Sequence, residues 1–421
     1  MFDDSGALKY ANANVDSFKP QTMTLTRKCT LILALLTIIS GIYAQQKNEI
    51  PAAYSKIYYD KEGNLVLNVK NSTFYAFTDD PLYSLQQVYG NPVGTDEGLI
   101  FDFGELKGNL IYGLIPYGKA PHPLPVFRFT KDIIDGKAEI NIPYDFRYPY
   151  DFVGWKETGF LTLGYRLQDE DGMIIYDGEV SLSGTGPFEV VPALAEGPFI
   201  NGLTDSGVVV WCRTTLPVKA QLEVNGKLMS EKKALLNHEW SVEGLEPATE
   251  YSYKVKYGGQ EQEYHFRTAP KEGSREPFVF AYTSDSRHAT GGGERMIYGA
   301  NAYIMKKMTA LAYAEGAAFL QFTGDMINGY LTNNEEIQLQ YTNWKKAVEP
   351  FWHYMPINTG MGNHEALGYV FYDSTGRMRA FIDGFPYDTF SAEAAYAEAF
   401  VNPVSELVSE DGSDYDPDPY S

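Results

Sequence analysis

Phe278-Val279-Phe280-Ala281-Tyr282-Thr283-Ser284-Asp285-Ser286-Arg287-His288 is the stretch that decides how the second half of this chain folds. Its first six residues carry no charge and predict a strand buried on both faces, the kind found inside a parallel or mixed sheet. The run then breaks into short polar and titratable side chains. Downstream, Ile297, Ala300, Ile304, Met308 and Leu311 recur at steps of three and four, which predicts a helix with one apolar face. A second run, Ala318-Phe319-Leu320-Gln321-Phe322, leads into Gly324-Asp325-Met326-Ile327-Asn328. After a helical stretch near 335–349, a third strand at Met355-Pro356-Ile357-Asn358 leads into Gly362-Asn363-His364-Glu365. The order is βαβαβ, and in an open α/β sheet ligand sites form outside the carboxyl ends of the strands. Glycine before Asp325 and before Asn363 lets the backbone turn sharply as it leaves the sheet. The short Asp and Asn side chains have few rotamers and hold a cation with little slack.

Three motifs at successive strand ends resemble the calcineurin-like metallophosphoesterases, of the purple acid phosphatase-related kind, over residues 278–366. That family's pattern is Asp-x-His, Gly-Asp, Gly-Asn-His-Glu, a lone His and Gly-His-x-His. The resemblance implies that Asp285 binds a first metal, Asp325 bridges both metals and Asn363 binds the second. It implies that His364 contacts the phosphate and protonates the leaving oxygen or orients the group that does. Two metal ions, drawn from zinc, iron or manganese, would activate a hydroxide for attack on a phosphate ester.

The sequence departs from this pattern in three places. Arg287 stands where the first-motif His belongs, and a guanidinium has no lone pair for a metal. Its planar fork suits a phosphate clamp; a salt bridge at the domain edge and substitution by the neighbouring His288 are the alternatives. Asn328 stands where purple acid phosphatases carry their iron-ligating, colour-giving tyrosine, so a non-purple relative is expected. The chain has six histidines, none in a His-x-His pair and none after His364. The reading is therefore an incomplete α/β domain, in which hydrolysis is expected to be weak or absent.

Ahead of that domain the chain reads as β structure. Residues 45–190 alternate short β-branched or aromatic runs with turn signals, as in Asn64-Leu65-Val66-Leu67-Asn68-Val69, and read as a β-sandwich-like domain of unknown role. Residues 191–270 carry a Trp on an inner strand (Trp211) and the corner Leu245-Glu246-Pro247-Ala248-Thr249-Glu250-Tyr251. These resemble a fibronectin type III-like sandwich, which purple acid phosphatases carry directly before their catalytic domain. The expected fold class is thus multidomain: two N-terminal β-sandwich-like domains, then an incomplete α/β metallophosphoesterase domain (274–421) with a mixed sheet flanked by helices.

At the N-terminus, Arg27 and Lys28 precede an apolar run that ends at Ala44. Basic start, short apolar core and small-residue end predict a signal peptide over 23–44, with 1–22 as an upstream extension. The protein is expected to be secreted, periplasmic or on the cell surface, without a stable membrane span. Cleavage would leave Cys212 as the lone cysteine, a small buried hydrophobe in Val208-Val209-Val210-Trp211-Cys212. A formal charge of -21 disfavours nonspecific attraction to nucleic acid or anionic lipid, and a phosphate ester is the expected partner. A second reading is a secreted binding or scaffold protein that works through its β modules and keeps a degenerate phosphoesterase half.

Overall fold

The structure is a computed structural model that describes residues 50–77, 80–287, 295–387 and 389–401. The signal peptide, the upstream extension, His288 and the acidic segment from Ser409 lie outside the described residues. Two compact units are present, Met1–Ser55 and Lys56–Ser421. Of the first, the described part is one 3-10 turn, Ala52–Tyr54.

Strand is the dominant secondary structure. Within 56–190, the long hairpin Phe160–Gln168 and Ile174–Ser183 centres a five-stranded antiparallel sheet, and Gly98–Asp102 centres a three-stranded one. Both contribute to one apolar cluster containing Phe101, Phe103, Tyr112, Trp155 and Tyr165. Residues 194–267 form a three-stranded sheet and a four-stranded sheet. Alternating Val208, Val210 and Cys212 point into their shared core, with Trp240, Tyr253 and Phe266. Tyr251 turns back at the corner, where its hydroxyl accepts from the Glu246 N–H at 2.8 Å. Trp211 sits on the opposite face of its strand from Cys212. It stacks on Phe199 and lies under the Lys345 ammonium, so it faces the helical part of the molecule and Trp240 fills the core position.

The expected βαβαβ unit is present. Strands Val279–Thr283, Ala317–Phe322 and Ile357–Thr359 pair in parallel and in chain order. Helix Ala302–Ala314 connects the first two, and helix Asn334–Trp352 the second pair. The longer helix is buried on nearly every side, so its polar residues find partners. Asn343 donates to the carbonyls of Ile175 and Tyr298, both at 2.9 Å. Lys345 reaches Glu196 at 2.5 Å, both side chains under 5% exposed. Removing one partner of such a pair costs about 3–5 kcal/mol, because the other charge stays buried alone.

Two expectations fail here. The first strand is not buried on both faces: Phe278, Phe280 and Tyr282 are exposed on one side, Val279 is half exposed on the other, and only Thr283 is buried. Nothing among the described residues covers that face. The helix of 302–314 buries Ala302, Met305, Thr309 and Ala312 rather than Ile304 and Leu311, which are exposed. Ile297 and Ala300 precede it and pair with each other in an isolated bridge.

One sheet crosses the chain from end to end. Strands Ile57–Tyr59, Leu65–Val69 and Ser72–Phe77 continue into the hairpin Gly368–Tyr372 and Met378–Asp383 through the pairing Val370↔Phe77. The hairpin follows directly on the third motif.

Candidate active site

The carboxyl ends of the three parallel strands bring Asp285, Asp325 and the Asn363-His364 pair to one edge of the sheet. Backbone bonds knit the first two loops. The Asp285 N–H donates to the Gly324 carbonyl and the Arg287 N–H to the Asp325 carbonyl, each at 3.1 Å. Ser286, between them, accepts from the Trp344 indole at 2.7 Å and donates to the Met326 carbonyl at 3.2 Å. A buried tryptophan on the long helix thereby anchors the first motif.

The two glycines are required by close approach more than by the turn. A Cβ on Gly324 (φ +104°) would stand 2.3 Å from the Gly362 nitrogen, and one on Gly362 2.4 Å from Asp325 Oδ1. Either would push the second and third loops apart. Asp285 and Asp325 themselves lie at φ +59° and +56°. Asp tolerates this left-handed region better than most residues, and two such conformations at adjacent strand ends mark stored backbone strain.

What fixes this arrangement is Glu365, a residue the motif reading left without a role. Its carboxylate is fully buried and accepts four backbone N–H bonds. Asp325 N–H and Gly362 N–H reach Oε2 at 2.9 and 2.6 Å; Met326 N–H and Ile327 N–H reach Oε1 at 2.7 and 3.3 Å. Desolvation raises its pKa while these bonds oppose the rise. One carboxylate thus clamps the loop bearing Asp325 to the loop bearing Asn363. The signal in sequence was the Glu closing Gly-Asn-His-Glu, but nothing local told that its partners lie 40 residues upstream.

Asp325 is buried; its Oδ1 accepts from the His364 backbone N–H at 3.1 Å, and its Oδ2 lies 3.8 Å from Arg287 Nε. Arg287 is about half exposed, so its pairing with Asp325 is loose and solvent-screened. Asp285 is exposed and accepts from the Ser284 hydroxyl. Asn363 donates through Nδ2 to the Tyr330 hydroxyl at 2.7 Å. His364 sits with Nδ1 2.7 Å from the Asn328 carbonyl. A carbonyl only accepts, so Nδ1 carries the hydrogen and Nε2 is the atom left for chemistry. Asn328 thus serves this site through its backbone.

These donors do not complete the metal pair that the motifs imply. Among the described residues no three His, Cys, Asp or Glu side chains are placed to hold a metal ion. Asp285, Asp325 and Asn363 offer only three oxygen-bearing groups, and a guanidinium stands beside the central one. What the arrangement presents is a cation and an imidazole beside two carboxylates, all at one sheet edge.

No family model matches the chain. No curated protein matches it either. Solved structures do. The structure of PhoD is 18% identical over 48% of this chain and 43% of its own, with a TM-score of 0.32. Purple acid phosphatase PPD1 from yellow lupin (Lupinus luteus) seeds is 16% identical over 73% of this chain and 59% of its own, at 0.35. The central fibronectin-III array of RIM-binding protein is 13% identical over 45% of this chain and 72% of its own, at 0.24. The chain spans about half the length of the first two. At TM-scores this low, function rests on the chain's own residues.

Proposed function

We propose that this chain carries the phosphate-handling part of a metallophosphoesterase-type site, in a secreted protein that engages phosphate esters and hydrolyses them weakly or not at all. One observation carries the reading: Asp285, Asp325 and Asn363-His364 end three successive parallel strands, and Glu365 locks the last two loops together. Random polar residues would not share one buried clamp.

In this reading Arg287 grips the phosphoryl oxygens, because its fork offers parallel charge-assisted hydrogen bonds. His364, with Nδ1 committed to the Asn328 carbonyl, presents Nε2 to the ester oxygen and donates from it when the ring is protonated. Asp285, Asp325 and Asn363 are the oxygen donors that would face metal ions. The described residues fall short of a two-metal centre, and slow turnover is the expectation. That same shortfall favours the second reading, a secreted scaffold whose β modules do the binding.

Calorimetric titration with inorganic phosphate separates the two. The first reading expects binding that weakens roughly tenfold to a hundredfold in Arg287→Ala, as loss of charge-assisted hydrogen bonds implies. Absence of phosphate binding by the wild-type chain would leave the scaffold reading alone. Hydrolysis of p-nitrophenyl phosphate should stay near background with manganese or zinc added; strong metal-dependent turnover would refute the weak-activity part. Secretion is tested by N-terminal sequencing of protein recovered outside the cell, which should begin just after Ala44.

A further inference from the structure

Tyr330 is the residue that the phosphate-handling reading does not use. It stands at φ +52°, a conformation that is an outlier for a bulky side chain, yet its ring is 44% exposed. Neither backbone preference nor burial accounts for it. Its neighbours do. Its hydroxyl accepts from Asn363 Nδ2 at 2.7 Å, and its ring meets the His364 imidazole at 4.9 Å and 86°. Phe381 of the hairpin also meets it, at 5.4 Å and 84°. Both contacts are perpendicular, and Tyr330 as a residue keeps 44% of its surface open to solvent. The chain to either side is tied down: Gly329 N–H donates to Gln340 Oε1 at 3.1 Å, and Leu331 N–H to the Ala366 carbonyl at 3.0 Å. A part-exposed aromatic side chain is thus held beside both Asn363 and His364.

We propose that Tyr330 is a platform for a flat aromatic group carried by the phosphate ester, so that nucleoside or aryl phosphates are preferred over aliphatic ones. The proposal rests on the phosphate-handling reading of the same site. A planar group stacked on the open ring brings the attached phosphate to the edge where His364 and Asn363 stand. Base–aromatic stacking tolerates any ring with a π-face, so the platform selects planarity rather than one base.

The test is calorimetric titration of the whole chain with inorganic phosphate, ribose 5-phosphate, adenosine 5′-monophosphate and phenyl phosphate. Adenosine monophosphate or phenyl phosphate should bind roughly fivefold to a hundredfold more tightly than ribose 5-phosphate, the range of one stacked ring. The ligand showing the gain identifies a nucleoside or an aryl source. Tyr330→Ala should abolish the gain and leave ribose 5-phosphate binding in place, while Tyr330→Phe should keep it. Equal affinity for all four in the wild type, a comparison that needs no variant, overturns the platform while the phosphate reading stands. A gain that survives Tyr330→Ala also overturns it. No binding of inorganic phosphate removes the phosphate reading and the platform with it.

Discussion

At the scale of single residues, Glu365 decides more than the motif residues around it. Four backbone N–H groups converge on a carboxylate with no exposed surface, and hydrogen bonds to a charged acceptor contribute about 1.5–3 kcal/mol each. Glu365→Gln keeps the shape and turns one acceptor oxygen into an NH2 that must face N–H donors. That change should destabilise the protein by about 1–3 kcal/mol and Glu365→Ala by more, read as a lower urea midpoint at unchanged m-value. Phosphate binding should fall in parallel, since the clamp sets the spacing of the two loops. Wild-type stability in Glu365→Gln would mean that the four bonds only decorate an arrangement held by Gly324 and Gly362.

Among the elements, what sequence shows and what it hides divide along physical lines. The three site strands and the two connecting helices are legible from apolar runs and periodicity, because each is a local pattern. Asp325 and Asn363 are legible because a glycine and a short oxygen side chain after an apolar run are local signals too, whereas Asp285 follows its apolar run without a glycine. Which face of helix Ala302–Ala314 is buried is not: its inward residues include Ala302, Thr309 and Ala312, small side chains that carry little hydropathy signal against Ile304 and Leu311. Pairing of Ser72–Phe77 with Gly368–Tyr372 is equally hidden, since a contact across some 290 positions leaves no periodicity in either segment. The end of helix Asn334–Trp352 shows how such long-range seats set pH behaviour. His353 is buried, stacks on Tyr264 at 4.2 Å and donates from Nδ1 to the Pro198 carbonyl at 2.8 Å. Desolvation lowers its pKa from 6.5 to about 3. A depressed folded pKa means the unfolded chain takes the proton first, so the contribution of His353 is present above pH 6.5 and is lost as pH falls toward 3. Glu349, also in this region, is desolvated and raised to about 7, with the opposite sign: its contribution is present below 4.5 and lost as pH rises through 7. Replacing His353 by Asn should therefore flatten the acid limb of the stability–pH curve by up to about 1.4 kcal/mol per pH unit, while lowering stability at pH 7 through lost stacking. Urea unfolding at pH 3.5 to 7.5 measures it, and an unchanged acid slope would show that another group carries the transition.

Over the whole molecule, two features pull against each other. A formal charge of -21 keeps copies apart, whereas Phe278, Phe280 and Tyr282, the last 66% exposed, leave one face of a parallel sheet open among the described residues. Phe280 and Phe319 stack at 5.3 Å across neighbouring strands, so the surface is a continuous aromatic ladder rather than scattered side chains. Parallel sheets are normally covered on both faces, and a contiguous apolar patch is a site for association. The two effects differ in range. Charge repulsion is screened over about 8 Å at physiological salt, while burial of apolar surface acts only at contact and is not weakened by sodium chloride. Self-association should therefore rise with salt, opposite to what an interface made of ion pairs would show. Sedimentation at low and high sodium chloride should find weight-average mass increasing with both salt and concentration, and the double change Phe280→Lys with Phe319→Lys should suppress it. The buried side of the same strands, with Leu320 and Phe322, is untouched by that change, so phosphate binding should persist. A monomer at all concentrations in high salt would show that the face tolerates water, and that the charge is not what keeps this chain in solution.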